Sequence, residues 1–329
     1  MAAQGCCTRW DSSRFCNDVS KILGLDSQAR LLTWGTEEFA TMTASNAPTA
    51  SLPFATPSAG GAAGRVPALF VSHGSPMFAV EPGTTGPALA QWGAELRARF
   101  PALRGVVVMS PHWMARTPQV MAGAQPATWH DFGGFPQVLY SLQYPAPGNP
   151  ALAAEVLQLL QRAGLPAEGD AARPFDHGAW VPLMHLFADA GLPVVQVALP
   201  ATAGPAEVLA MGAALSRLRG DGVLLVGSGS MTHNLSEFFG GAREAAPYVV
   251  EFCRWIESAL ERGDIPALLD YRAQAPHARR AHPSEEHFLP FFFALGAAGE
   301  DRKPHYLSRE VSHGVLAMDS FVLQPAAVH

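Results

Sequence analysis

Val106-Val107-Val108-Met109-Ser110-Pro111-His112-Trp113 is the stretch that decides the architecture. Its first half is apolar, uncharged and β-branched, the composition of a strand buried on both faces. Its second half carries Pro111, which cannot donate to a sheet ladder, so the strand is expected to stop there with His112 at its C-terminal edge. Two more stretches are built alike. Residues 67–72 (PALFVS) run into His73-Gly74-Ser75-Pro76, and residues 223–226 (VLLV) run into GSGSMTHN with His233. A fourth apolar run, residues 194–199, ends at Pro200 without a histidine. Open α/β sheets hold their ligands at the C-terminal ends of strands. Three such ends carrying a histidine point to one shared site.

Outward from these strands the chain alternates. Helical spacing covers residues 87–100, 151–163, 179–190, 205–218 and 247–262, and an intensely apolar helix starts at Phe288. Strands alternating with helices predict βαβ units. The expected fold is α/β, a single domain over residues 65–329 with a central, mostly parallel sheet flanked by helices. Residues 1–64 read differently. Residues 1–39 allow a short helix or two, and residues 41–64 form a Thr/Ser/Ala/Pro/Gly stretch expected to be a flexible linker. The extension is expected to be dispensable.

Composition excludes several classes. A net charge of −6 without a basic stripe argues against a nucleic-acid partner. No apolar run reaches the roughly 18 residues of a membrane span. Cys6, Cys7, Cys16 and Cys253 form neither a disulfide framework nor a metal motif, which suits a reducing, cytoplasmic setting. The oddity is 12 histidines in a chain with only 15% charged residues.

Imidazole suits Zn, Fe, Cu or Ni, whereas Mg or Ca would want oxygen ligands. Histidines on separate strand ends suit a catalytic metal with open positions more than a zinc finger. His73, His112 and His233 are the first candidates. A further ligand is expected at His287, in Ser284-Glu285-Glu286-His287-Phe288-Leu289-Pro290, with Glu286 as its rival. His185, His277, His282, His305, His313 and His329 read as structural. In Asp176-His177-Gly178, His177 is a candidate acid–base group, while Asp176 reads equally as a helix N-cap. Trp129-His130-Asp131-Phe132-Gly133-Gly134-Phe135-Pro136 has the composition of an aromatic-binding wall, or of an ordinary turn-rich loop. His130, Phe132 and Tyr140 are the substrate-binding candidates; Arg116 and Tyr144 could meet a polar substituent.

At these residues the sequence resembles the DOPA-type class III extradiol ring-cleaving dioxygenases. HGSP at His73, SPHW at His112, HDFGGFP at His130, YPAPGNP at Tyr144, DHGAW at His177, GSGSMTHNL at His233 and EEHFLP at His287 occur in the family's order, over residues 66 to about 320. Pro111 stands where alanine is more usual. The resemblance implies that His73, His112 and His287 hold one divalent metal. His233 would be a fourth ligand or a base, and His177 the second acid–base histidine. It implies a catechol substrate, DOPA-like in the named subfamily, and dioxygen as co-substrate. Fe(II) is expected for catalysis; Zn(II) would bind the imidazoles but, being d¹⁰, cannot pass electrons. The alternatives are a zinc hydrolase on the same framework and a non-catalytic interaction protein.

Overall fold

The computed structural model describes residues 64–238 and 244–325. The expectations of a helix within residues 1–39 and a linker up to Gly64 lie outside the described residues, except for Gly64 itself, which is exposed.

Eight strands form one sheet. In chain order they are β1 (Ala68–Ser72), β2 (Gly105–Ala115), β3 (Gln119–Met121), β4 (Glu168–Asp170), β5 (Val194–Pro200), β6 (Val223–Gly229), β7 (Lys303–Ser308) and, after the small hairpin β8 (Val311–Ser312) and β9 (Leu316–Ala317), β10 (Ser320–Gln324). The order across the sheet is β4-β3-β5-β2-β6-β1-β10-β7. The central four, β5-β2-β6-β1, are parallel. β3 meets β5 antiparallel, and so does β10 meet β1 and β7. The expected mostly parallel sheet is therefore present, with antiparallel strands confined to its flanks.

Every residue of β1 and β6, and residues 105–111 of β2, are buried. Successive side chains of such strands point to opposite faces. Ala68, Phe70, Val107, Met109, Val195, Val197, Val223 and Leu225 join one large cluster. Covering that face are α2 (Pro150–Arg162), α4 (Pro205–Leu215), α5 (Pro247–Arg262) and α6 (Leu289–Ala298). The other two long helices, α1 (Thr85–Arg99) and α3 (His177–Leu186), pack on one another, and α3 lies against β2 and β6. α6 is buried at every position, which explains its continuous apolar sequence. It lies so close to β6 that a side chain at Gly227 would collide with the Pro290 carbonyl, and one at Gly229 with that of His287.

One expectation is corrected. Pro111 does not end β2, which continues to Ala115. Instead Ser110 pairs with Ala198 and Met114 with Leu199, the next residue of β5, so Pro111, His112 and Trp113 bulge out of the ladder. A bulge leaves its extra residues unpaired, so the missing proline N–H is never needed there, and it re-aims the side chains it carries. Several bounds also shift: β6 runs on to Gly229, α3 begins at His177 itself, and α6 begins two residues after His287.

Buried Arg219 closes the lower end of the sheet. Its guanidinium donates to the carbonyls of Val66, Ala297 and Ala298 and to Asp301, tying the entry to β1 to the end of α6. Arg219→Ala strands those acceptors, and by the usual cost of breaking a buried ion pair it is expected to lower stability by about 3 kcal/mol. Urea unfolding checks this; an unchanged midpoint would contradict it.

Candidate active site

Five histidines meet at the C-terminal edge of the central strands. His73 follows β1 directly, its N–H held by the Gly229 carbonyl at 2.9 Å. His112 rides the β2 bulge. His177 opens α3. His233 lies in the loop after β6, its N–H bound to the Ala281 carbonyl. His287 precedes α6, and its carbonyl accepts from Ser230 N–H at 2.8 Å. Ring centroids lie 5.1 Å apart for His73–His112, 5.5 Å for His73–His287 and 5.1 Å for His112–His287. His177 lies 3.9 Å from His112 and 5.6 Å from His73.

Hydrogen bonds decide which ring nitrogen faces inward. Ser228 Oγ donates its one proton to the Gly178 carbonyl, so it must accept from His73 Nδ1 at 3.0 Å. His73 is thereby held as the Nδ1–H tautomer with its Nε2 lone pair free, the arrangement of a metal ligand supported from behind. That Nε2 lies 3.1 Å from His112 Nε2. Two nitrogens each about 2.1 Å from one ion would be spaced like this. His287 Nδ1 lies 3.1 Å from Glu286 Oε1, and His177 Nδ1 lies 2.9 Å from Asp131 Oδ1.

Proximity groups His73 and His112 with His177, and His233 with Glu286 and His287. The planes of the rings qualify the second group. His233 and His287 stack at 3.5 Å and 8°. An imidazole lone pair lies in its ring plane, so two parallel stacked rings cannot both aim at one ion.

Four of the rings, those of His73, His112, His233 and His287, are neutral. Burial lowers the pKa of His73, His112 and His233 well below the usual value, and neighbouring imidazoles lower it further. Burial takes His287 to about 3. Burial alone would raise the Asp131 carboxyl, but the charge and hydrogen bonds of His177 outweigh it and hold Asp131 below the usual range. A cluster of neutral imidazoles fits a borderline divalent ion such as iron or zinc.

Asp176, the sequence neighbour of His177, does not touch that ring. It is the α3 N-cap, and its oxygens accept from Ala179 N, Ser110 Oγ, Arg173 Nη2 and Gln196 Nε2. Its pKa is raised by burial, then by Asp131, and Arg173 opposes this. Arg173 lies between the rings of Trp113 and Trp129, 4.7 and 4.9 Å from their centroids, and also binds the His112 carbonyl. This network pins the β2 bulge to the start of α3.

The aromatic wall forms around Phe132, whose ring stands perpendicular to His177 at 5.6 Å. His130 and Tyr140 pack behind it, at 5.7 and 5.4 Å from Phe132, and His130 Nε2 donates to the Leu142 carbonyl. Arg116 is exposed. Tyr144 is buried and donates to the Phe187 carbonyl, so it holds the fold and faces no substrate. Of the histidines read as structural, His185 bonds the Phe78 carbonyl, His282 that of Met231, and His277 the Glu251 carboxylate. Asp131 was missed; the only sequence signal for it was its place in His130-Asp131-Phe132-Gly133.

Histidines gathered at one strand edge beside an aromatic wall form a site able to hold a divalent metal, and the family match makes the protein a metal-dependent extradiol dioxygenase. The chain belongs to the family described as the catalytic LigB subunit of aromatic ring-opening dioxygenase, whose model matches residues 67–321. Similar proteins named 4,5-DOPA dioxygenase extradiol occur in Beta vulgaris, 35% identical over 77% of this chain and 94% of that one, and in Portulaca grandiflora, 37% identical over 77% and 93%. Another of that name, from Escherichia coli (strain K12), is 37% identical over 71% and 85%. The solved structure of an uncharacterized protein from Escherichia coli K12 matches with a TM-score of 0.65 at 29% identity, over 79% of this chain and 100% of that one.

Two expectations follow. A methyl at Gly178 would strike Ser110 Oγ and sit 2.8 Å from His112 Cδ2. Gly178→Ala should therefore weaken Zn(II) binding about 10–100-fold, in the range of disturbed ligand support; chelator competition measures it, and unchanged affinity would contradict it. Buried His282 and His287 keep a folded pKa of about 3, against about 6.5 in the unfolded chain. Below pH 6.5 the unfolded state binds more protons, so this stability is full above 6.5 and is lost as pH falls toward 3. At pH 5 the metal-free protein should have lost about 2 kcal/mol per such histidine relative to pH 7.5. Equal urea midpoints at the two values would contradict it.

Proposed function

We propose that this enzyme opens the ring of a DOPA-like catechol beside its diol, with dioxygen, at one iron held by His73, His112 and His287. The observation that carries this is the inward Nε2 lone pair of His73, fixed by Ser228, opposite His112 Nε2 at 3.1 Å. Fe(II) bound there would supply the one-electron exchange between diol and dioxygen that zinc cannot. Burial keeps the three imidazoles unprotonated, so their lone pairs stay available near neutral pH.

His177 is the acid–base group beside the substrate. Its Nδ1 is engaged by Asp131, which leaves Nε2 free to take the catechol proton. His233 is assigned as the second base, because its parallel stacking on His287 argues against a shared ion. Phe132, perpendicular to His177 at 5.6 Å, is assigned as the aromatic neighbour of an incoming ring. His130 and Tyr140 support that wall. The residues 1–64 lie upstream of the family match, and their removal is proposed to leave this reaction intact; a truncated protein without turnover would refute that.

The test is oxygen uptake by protein loaded anaerobically with Fe(II), then given L-DOPA or another catechol. Stoichiometric uptake with a semialdehyde-type product is expected, and loading with Zn(II) should give none. Metal loss in His73→Ala, His112→Ala and His287→Ala is expected, against full metal and turnover reduced about 10²–10⁴-fold in His177→Ala and His233→Ala. An iron-free His233→Ala protein would make His233 a ligand. No uptake by the wild type with any catechol would overturn the reading.

A further inference from the structure

Asp131 stands out among the groups around the site, because it is a buried carboxylate that the ligand set does not use. Its side chain is only 5% exposed. Oδ1 accepts both the backbone N–H and the ring Nδ1 of His177, each at 2.9 Å. Oδ2 faces His112 Nδ1 at 3.7 Å, beyond hydrogen-bond length. The other carboxylate within reach of α3, Asp176, has both oxygens spent on Ser110, Ala179, Arg173 and Gln196.

We propose that Asp131 is the positioning residue of the acid–base histidine: by receiving two N–H groups of His177 on one oxygen, it fixes the ring as its Nδ1–H tautomer with the Nε2 lone pair open to substrate. Two bonds to one oxygen define both the backbone entry to α3 and the rotation of the ring. At 3.7 Å the same carboxylate makes no hydrogen bond to His112 and reaches it only through its charge. Asp131 therefore serves proton transfer and leaves metal retention to the ligands. This rests on His177 acting as the acid–base group of the dioxygenase reading.

The experiment reads the tautomer and the kinetics separately. Protein labelled with ¹⁵N-histidine, loaded with Zn(II) and free of substrate, reports the protonated nitrogen of His177 by long-range ¹H–¹⁵N correlation; His177→Gln assigns the signal. The wild type should show Nδ1–H, and Asp131→Ala a mixture of tautomers at unchanged metal content. With Fe(II), Asp131→Ala should lose about 10²-fold or more in kcat while KM for the catechol stays within about two-fold. Asp131→Asn keeps a carbonyl oxygen in place and should restore the tautomer and part of the rate. Wild-type kcat in Asp131→Ala, an undisturbed Nδ1–H tautomer in that variant, or an Nε2–H tautomer in the wild type would each overturn the proposal. The last is read on wild-type protein, so it stands even where Asp131→Ala fails to fold. Absence of oxygen uptake by the wild type would count against the dioxygenase reading alone, since the tautomer is measured without turnover.

Discussion

The imidazoles of His73, His112, His233 and His287, packed at centroid separations from 3.5 to 5.5 Å, can share this small volume only while they are uncharged. Each proton added would meet both a dry environment and its neighbours' charges. Burial meets this constraint, and an acceptor beside a ring nitrogen fixes which nitrogen carries the one proton. Ser228 serves His73, Asp131 serves His177, and Glu286 lies against His287. Lone pairs are thereby left on the inner side. A pocket so arranged is poised for a cation and poorly suited to standing without one at low pH.

The scaffold that holds the rings is itself polar at one level of the sheet. Ser72, Ser110 and Ser228 occupy matching ends of three neighbouring parallel strands, all fully buried. Ser72 reaches the residues before β10 and after β6, and Ser110 and Ser228 both reach the start of α3. Ser72 donates to the Asp319 carbonyl and accepts from Met231 N–H, Ser110 donates to Asp176, and Ser228 to Gly178. A hydrophobic strand therefore ends in a small donor before each loop turns toward the site. Loop positions are set by bonds to the sheet, and the sheet is held by its apolar faces.

Much of this was legible in the sequence, for a physical reason. Buried parallel strands read as apolar runs, so their ends are visible, and a histidine at such an end falls at the ligand-binding edge. His73, His112 and His233 were singled out that way, and His287 by its place just before a buried apolar helix. The β2 bulge was not legible, because Pro111 carries the same signal whether a strand stops or loops out and resumes. Asp131 was hidden because its partner lies 46 residues downstream and neither residue carries the pairing in its own neighbourhood. Asp176 beside His177 was the local alternative; its oxygens instead serve the helix cap and the buried network. Tyr144 looked available for substrate because sequence alone does not show that its hydroxyl is spent on Phe187.

β1 is paired on one side by β6 and on the other by β10, and Ser72 at its end is held by Ser320 Oγ and the Asp319 carbonyl. The strand that introduces the first histidine is thus flanked by one made some 250 residues later, as the sequence separation of 248 for the Ser72–Ser320 bond records. During synthesis, β1 leaves the ribosome long before either neighbour exists and waits as an unpaired apolar segment, the kind of exposed edge that invites aggregation. His287 also emerges late. The pocket is therefore finished only after translation has passed residue 320, and metal can be delivered to it as a complete site only from then on.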